Sequence, residues 1–167
     1  TGQSCNIIND GNFDTALGSW SSNVNAQIVS DAHTGSGAVR FTNGWIGNVV
    51  AVTPGPLYTL SGSYKSNSGN GWAGYGMDFV NADGEEVGEL VRTLAPATLY
   101  TEFGLQGQVP AQVAFIRPWF FTEAGRTLTL DDIDVRKTGC DDANPGNQPP
   151  AIGNPGNQVD AIDVPLT

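Results

Sequence analysis

One stretch, Ala111 to Val135, limits the possible folds of this chain more than any other. Aromatic and β-branched residues dominate its two arms and Gly125 lies between them, so it predicts two β-strands joined by a short turn at Thr122 to Arg126. Because side chains alternate along a strand, the first arm carries large rings on both faces. One face must enter a core, and the other is a candidate surface for a flat polar ligand such as a sugar ring. The first face holds Ile116, Pro118 and Phe120, and the second holds Phe115, Arg117, Trp119 and Phe121.

The rest of the composition favours strands and turns over helices. Glycine supplies 22 of the 167 residues, roughly twice its average usage, and no long apolar segment has the helical period. The chain is long enough for one well-buried domain and a tail. We therefore expect an all-β protein with a single core.

A formal net charge of -10 excludes several classes of partner. Nucleic-acid binding needs a basic surface for the phosphates, so we expect no nucleic acid, and the same charge disfavours anionic membranes. The sequence has neither a run of 18 apolar residues nor a signal-peptide pattern at its start. We expect a mature soluble protein or an excised part of one.

The two cysteines bracket the candidate domain. Cys5 precedes the first apolar pair and Cys140 follows the last predicted strand, so a sandwich whose terminal strands are neighbours would bring them together. The pattern predicts a disulfide and a secreted, extracellular protein, because disulfides persist in oxidising compartments. Two unrelated free thiols are the alternative.

Catalytic chemistry has little support in the sequence. His33 is the only histidine, which argues against a transition-metal site and against a histidine-based nucleophile relay. A pair of glycosidase carboxylates could come from Glu85, Glu86 and Glu89. These residues lie at a turn and a strand end, however, with no aromatic residue beside them. A solvated acidic face is the simpler interpretation, and we predict no catalytic residue.

Two tryptophans lie in glycine-rich segments with little apolar cover. Trp45 lies in Asn43 to Gly47, which is predicted to be a loop, and is either a ligand platform or a packed lid. Trp72 lies in Ser66 to Gly76, a segment that loses conformational entropy on ordering, so its aromatic residues are anchors or binding groups. In the strand that follows, alternation predicts that Asp78 faces outward.

A change in composition after Cys140 predicts the domain organisation. We expect a β-sandwich domain over residues 1–140 and a Pro/Gly/Asn-rich linker over residues 141–158, in which NPGNQ occurs twice. Residues 159–167 regain apolar character and are expected to begin a following domain.

Five segments resemble, in order, the β-sandwich carbohydrate-binding modules of the family 4, 9 and 22 group. They are NIINDGNFD, HTGSGAVRF, VTPGPLYTLSGSYK, DFVNADGEEV and LTLDDIDV, all within residues 6–137. The resemblance implies a galactose-binding-domain-like jelly roll of two antiparallel sheets, with a groove for polysaccharide on the concave sheet.

The resemblance also implies a structural calcium ion. Its ligands would be Asp14, Asp131 and carbonyl oxygens near Thr34 and Ser36, a set of oxygen ligands that suits calcium. Asp14 stands where a longer Glu is common in the motif. The alternative is a calcium-free domain in which backbone donors bind these carboxylates.

For the groove, the resemblance places polar and aromatic residues on one face of one sheet and on its bordering loops. They are Trp45, Trp72, Asp78, Arg117, Trp119, Phe121 and Lys65, with Ser61 and Ser63 beside them. The implied function is a non-catalytic module, monomeric within a multidomain protein, that targets a secreted polysaccharide-degrading enzyme to its substrate. A structural or adhesive spacer domain is the alternative.

Overall fold

The computed structural model describes residues 5–142. Within these residues the chain divides into two compact units, Asn6–Thr138 and a smaller one that contains Cys5 and residues 139–142. Residues 5–142 contain nine β-strands and no helix, and therefore no helix able to cross a membrane. The strands are β1 (Ser21–Ser22), β2 (Gln27–Val29), β3 (Ala38–Gly47), β4 (Val50–Ala51), β5 (Leu57–Ser66), β6 (Ala73–Asn81), β7 (Glu86–Thr93), β8 (Ala97–Gln108) and β9 (Val113–Lys137).

The larger unit is a sandwich whose two layers share the long strands β3 and β9, so a single hydrogen-bonded ladder joins all nine strands. In the front sheet, the second half of β3 and the first half of β9 pair with β1, β4 and β6, and β6 pairs with β7. In the back sheet, the other halves of β3 and β9 pair with β2 and β5, and β5 pairs with β8. Every pairing is antiparallel, which confirms the predicted all-β sandwich.

The stretch around Gly125 does not form the predicted turn between two paired strands. β9 is continuous, and its two arms pair with β6 and β5 respectively, so neither arm is free to pair with the other. Gly125 has a φ of 91° where the chain passes from the front sheet to the back sheet. The buried guanidinium of Arg126 holds this crossing by donating hydrogen bonds to Ser66 Oγ and Leu94 O.

Aromatic rings fill the space between the sheets. Tyr75 of β6 lies 4.6 Å from Phe103 of β8 between ring centroids, and Phe103 lies 5.5 Å from Phe120 of β9. Phe13 and Trp20 pack against each other, with ring centroids 5.5 Å apart, and both are buried. The core is thereby closed beneath the front sheet, whose outer face remains available.

The smaller unit contains the disulfide. Cys5 and Cys140 are bonded, with Cα atoms 5.9 Å apart, so the predicted pairing is confirmed. Of the predicted linker, only residues 141–142 are described. Residues 143–158 and the predicted start of a further domain at 159–167 lie outside the described part of the chain.

Candidate functional site

A groove of about 550 Å³ lies on the outer face of the front sheet. Its lining residues are Trp45, Gly47, Trp72, Asp78, Glu89, Arg117, Trp119 and Phe121. Six of the seven side chains that were predicted to bind carbohydrate therefore meet in one place. The seventh, Lys65, does not belong to this groove.

Alternation along β9 explains how the groove receives its central residues. Ile116 and Phe120 are fully buried in the core. Their neighbours Arg117, Trp119 and Phe121 point to the other side of the sheet, where they remain partly or fully exposed. The sequence predicted this division of the two faces correctly.

Cross-strand pairing arranges the groove in three rows, each running from one strand to the next. The rows are Trp45–Phe121–Gly74, Gly47–Trp119–Gly76 and Arg117–Asp78–Glu89. Neighbouring strands lie about 4.8 Å apart, so each row spans about 10 Å. The groove thus has aromatic residues along one side, charged residues along the other, and the indole of Trp119 between them.

Two glycines of β6 form the floor under the indoles. A Cβ atom at Gly76 would lie 2.6 Å from the ring of Trp119, which is closer than real Cβ contacts allow. A Cβ atom at Gly74 would collide with the ring of Trp72. Both rings therefore lie directly against the backbone of β6, in the space that side chains at these positions would occupy.

The carboxylate of Asp78 fixes the charged side of the groove. Its Oδ2 accepts hydrogen bonds from Arg117 Nε at 3.0 Å and Nη2 at 2.9 Å, and its Oδ1 accepts one from Trp119 Nε1 at 2.9 Å. The Asp78 side chain is only 10% exposed, whereas that of Arg117 is 44% exposed. One buried carboxylate therefore orients both a guanidinium and an indole that reach the groove.

Trp45 and Trp72 differ in how firmly they are held. The indole Nε1 of Trp72 donates to Thr93 Oγ1 at 3.1 Å, and the ring lies 6.1 Å from that of Phe121. Trp45 belongs to β3 rather than to a loop, and it is 39% exposed. Trp45 is therefore an open platform and not a packed lid.

The groove carries more negative than positive charge. Carboxylate oxygens of Asp78, Glu86 and Glu89 lie within 4.8 Å of one another, and Arg117 Nη2 lies 3.5 Å from Glu86 Oε1. Burial, followed by the neighbouring Asp78, raises the pKa of Glu89. Three carboxylates beside one guanidinium give this end of the groove a formal charge of -2 at neutral pH.

Glu89 is the groove residue that the sequence analysis missed. Its predicted exposure to solvent agrees with the structure, but it also pairs with Asp78 across β6 and β7 and lines the groove. The hairpin turn at Asn81 to Gly84 was visible in the sequence. Pairing the two strands residue by residue from that turn would have placed Glu89 near Asp78. The exact partner was not predictable, because a register shift between Phe79 and Val80 moves the pairing by one residue.

The prediction that Lys65 lies on the same face as Arg117 is wrong. Lys65 belongs to β5, which pairs only with β8 and the second half of β9, so it lies on the back sheet. Its ammonium forms a salt bridge with Asp31 at 2.9 Å and lies 4.9 Å from the centre of the Tyr100 ring. Ser61 and Ser63 lie on the same strand and are likewise absent from the groove.

The predicted calcium ligands lie near a loop that precedes β3. The fully buried Asp131 accepts hydrogen bonds at Oδ2 from the backbone nitrogens of His33 at 2.8 Å and Thr34 at 3.0 Å. Asp14 Oδ1 accepts hydrogen bonds from the backbone nitrogens of Ser36 at 2.8 Å and Gly37 at 3.3 Å. Both carboxylates thus bind this loop through its backbone N–H groups, whereas the prediction assigned carbonyl oxygens near Thr34 and Ser36 to the cation.

These residues fit calcium in their chemistry, because two carboxylates from separate segments converge on one loop. Backbone N–H groups engage both oxygens of Asp131, because Asp132 N donates to its Oδ1 at 2.8 Å, whereas Asp14 Oδ2 accepts no hydrogen bond from the part of the chain that the structure describes. Burial raises the pKa of Asp131, which a bound cation would counteract. The geometry also satisfies the calcium-free alternative, so the calcium site stays a prediction.

No protein-family model and no curated protein matches this sequence. Among solved structures, the Family 16 carbohydrate-binding module 2 is similar, with a TM-score of 0.65 and 15% identity over 79% of this chain and 100% of that one. The CBM22-1 xylan-binding domain of Paenibacillus barcinonensis Xyn10C has a TM-score of 0.62 and 12% identity over 82% and 97%.

A third similar structure is the enzymatically active domain of tailspike protein 4 from bacteriophage CBA120. It has a TM-score of 0.67 and 10% identity over 80% of this chain, which spans only 21% of that one. At these identities the likeness concerns the fold alone. The chain has the galactose-binding-like β-sandwich jelly roll that is also the fold of carbohydrate-binding modules of families 16 and 22.

Proposed function

We propose that this chain is a carbohydrate-binding module that holds a polysaccharide in the groove of the front sheet. The observation that carries the proposal is the meeting of Trp45, Trp72 and Trp119 in one groove beside the Arg117–Asp78 pair. The C–H faces of a sugar ring stack on indole, while guanidinium and carboxylate groups hydrogen-bond its hydroxyls. The similar structures named as carbohydrate-binding modules support the same function.

We propose that the ligand is a β-linked polysaccharide, and the charge of the groove favours a neutral one. A polymer of uronic acids would bring carboxylates close to Asp78, Glu86 and Glu89, where like charges repel. The hydroxyls of a neutral sugar can instead donate to these carboxylates and accept from Arg117.

We propose that binding occurs without catalysis. A glycosidase commonly needs two carboxyl groups, one as acid and one as nucleophile or base, so Glu89 alone would not suffice. Both oxygens of Asp78 are engaged by Arg117 and Trp119, and Arg117 also lies near Glu86. A reducing-sugar assay of the isolated chain tests this point, and release of sugar from any polysaccharide would overturn it.

Three further properties belong to the proposal. The Cys5–Cys140 disulfide supports secretion, because such bonds persist in oxidising compartments. Attachment to a polysaccharide-degrading enzyme would make modest affinity useful, since the bound module raises the enzyme's effective concentration at its substrate. A calcium ion held by Asp14 and Asp131 would fix the loop before β3 and serve stability rather than binding.

Affinity electrophoresis on a panel of neutral and acidic polysaccharides tests the function. The wild-type chain should be retarded by at least one neutral β-linked polymer, and Trp45→Ala should weaken binding about tenfold, as expected for one lost stacking contact. Leu99→Ala is the matched control, because Leu99 is 77% exposed on β8 of the back sheet. Absence of retardation by every polymer would favour a spacer domain.

A further inference from the structure

A second hollow, of about 300 Å³, lies on the far side of Trp45. Ser19, Ser21, Asn48 and Val49 line it together with Trp45, Gly47 and Arg117, the three residues that it shares with the main groove. We propose that this hollow is an additional sugar subsite, which extends the site past Trp45 along a neutral polysaccharide chain. This inference rests on the proposed function and extends its site.

Gly47 leaves the passage between the two hollows open. A Cβ atom built on Gly47 would have its nearest contact at 3.3 Å, with Pro118 O, and would lie 3.8 Å from Trp119 Cβ. Its φ lies outside the left-handed region, so the backbone does not require glycine here. The position could hold a side chain, and its absence lets a chain continue over the sheet past Trp45.

The polar residues of the second hollow are held in place by their neighbours. Asn48 Nδ2 donates to Ser19 Oγ at 3.0 Å and to Asn9 O at 3.2 Å, while Asn48 Oδ1 accepts from Val49 N at 2.8 Å. A side chain that is already ordered loses little entropy when a ligand binds. Both N–H groups of the Asn48 amide are used, and the Ser19 hydroxyl donates to Asn9 O at 3.3 Å. The hollow therefore offers the remaining lone pairs of Asn48 Oδ1 and Ser19 Oγ as fixed acceptors for sugar hydroxyls.

An apolar surface accompanies these polar groups. Val49 is 54% exposed and Trp45 is 39% exposed, and the two residues line the same hollow. A polar rim beside an exposed apolar wall matches the two kinds of surface on a pyranose ring. Trp45 then lies in the middle of an extended site instead of at its edge.

Calorimetric titration with two neutral β-1,4-linked series, cello-oligosaccharides and xylo-oligosaccharides from trisaccharide to hexasaccharide, tests the inference. In one series, the wild-type affinity should rise continuously with length. Gly47→Val, which fills the passage, should lower the ratio of hexasaccharide to trisaccharide affinity about tenfold. Val49→Ser, a milder change at an exposed position, should lower the same ratio, whereas the control Leu99→Ala should preserve it.

The outcomes separate this inference from the proposed function. If the trisaccharide binds as tightly as the hexasaccharide, and neither Gly47→Val nor Val49→Ser changes the ratio, the second hollow takes no sugar while the main groove still does. If no oligosaccharide of either series binds, the inference fails together with the proposed site for these polymers.

Discussion

Replacing Asp78 by Asn should damage both stability and binding, because one carboxylate anchors two groove side chains. Asn keeps a single acceptor oxygen and turns an amide N–H₂ group toward Arg117 or Trp119, both of which are donors. At least one of the three hydrogen bonds to Asp78 must then be lost. The lost partner is also left unsatisfied beside a largely buried side chain.

The loss of stability can be estimated from how exposed each partner of Asp78 is. A hydrogen bond to a charged group contributes about 1.5–3 kcal/mol, and the indole N–H of Trp119 makes such a bond to Asp78. The ion pair with Arg117 adds less than about 1 kcal/mol, because the Arg117 side chain is 44% exposed to solvent. We therefore expect Asp78→Asn to lower the free energy of unfolding by about 2–3 kcal/mol.

Urea denaturation of the wild type and the variant measures this loss, and titration with a bound polysaccharide should show at least tenfold weaker affinity. Asp83→Asn is the matched control, because it makes the same change in charge at an exposed position of the turn between β6 and β7. A free energy of unfolding within about 0.5 kcal/mol of the wild type would refute the anchoring role. Trp119→Phe in a double-mutant cycle should couple to Asp78→Asn more strongly than Arg117→Met does.

Four other predictions test separate parts of the molecule. A neutral polysaccharide should bind more tightly than its carboxylated derivative. Added salt should reduce this difference in affinity, because it screens the repulsion between carboxylates, as affinity electrophoresis at two ionic strengths would show. The raised pKa of Glu89 means that its charge opposes folding, so its contribution to stability is greatest below about pH 4 and falls as pH rises through the folded-state pKa. Glu89→Gln should accordingly raise the melting temperature at pH 7 and have no such effect below pH 4. If Asp14 and Asp131 hold calcium, a chelator should lower the melting temperature more than it lowers affinity, and an unchanged melting temperature would favour the hydrogen-bonded alternative. Replacing Cys5 and Cys140 by Ser should lower the free energy of unfolding by about 2–5 kcal/mol in urea, since the bond closes a loop with a sequence separation of 135; no loss would contradict the chain-entropy argument.

Side chains alternate between the two faces of a strand, and this alternation predicted which residues of each single strand face the groove. Period two separates Arg117, Trp119 and Phe121 from Ile116 and Phe120, and it also turns Asp78 outward. These assignments need only the local sequence, because a half-buried strand must bury one of its faces. The aromatic side of the groove could therefore be predicted without knowing the neighbouring strands.

Alternation gives the face of a strand but not the sheet to which the strand belongs. Lys65 has the expected polar alternation, yet β5 pairs with the half of β9 that lies in the back sheet. Gly125 is a residue typical of a turn, yet the two arms of β9 on either side of it pair with β6 and β5 and not with each other. Both errors arise from long-range pairing, which local sequence does not encode.

Trp45 shows that a bulge inside a strand cannot be told from a loop by composition. Its glycine-rich surroundings suggested a loop, but they form an irregularity inside β3, where Asn43 has a φ of 56° and the register shifts between Thr42 and Gly44. Such a bulge needs residues that tolerate positive φ, so it has the same composition as a loop. Only the pairing of Trp45 with Phe121 distinguishes the two.

The floor of the groove depends on two glycines of β6, Gly74 and Gly76. Glycine inside a strand destabilises a fold by about 0.5–1 kcal/mol relative to alanine. Side chains are nevertheless excluded at both positions. A Cβ atom at Gly76 would collide with Leu90 O and would lie 2.6 Å from the ring of Trp119. A Cβ atom at Gly74 would collide with the ring of Trp72. A side chain at either position would displace an indole, so the shape of the groove depends on the two glycines as well as on the tryptophans.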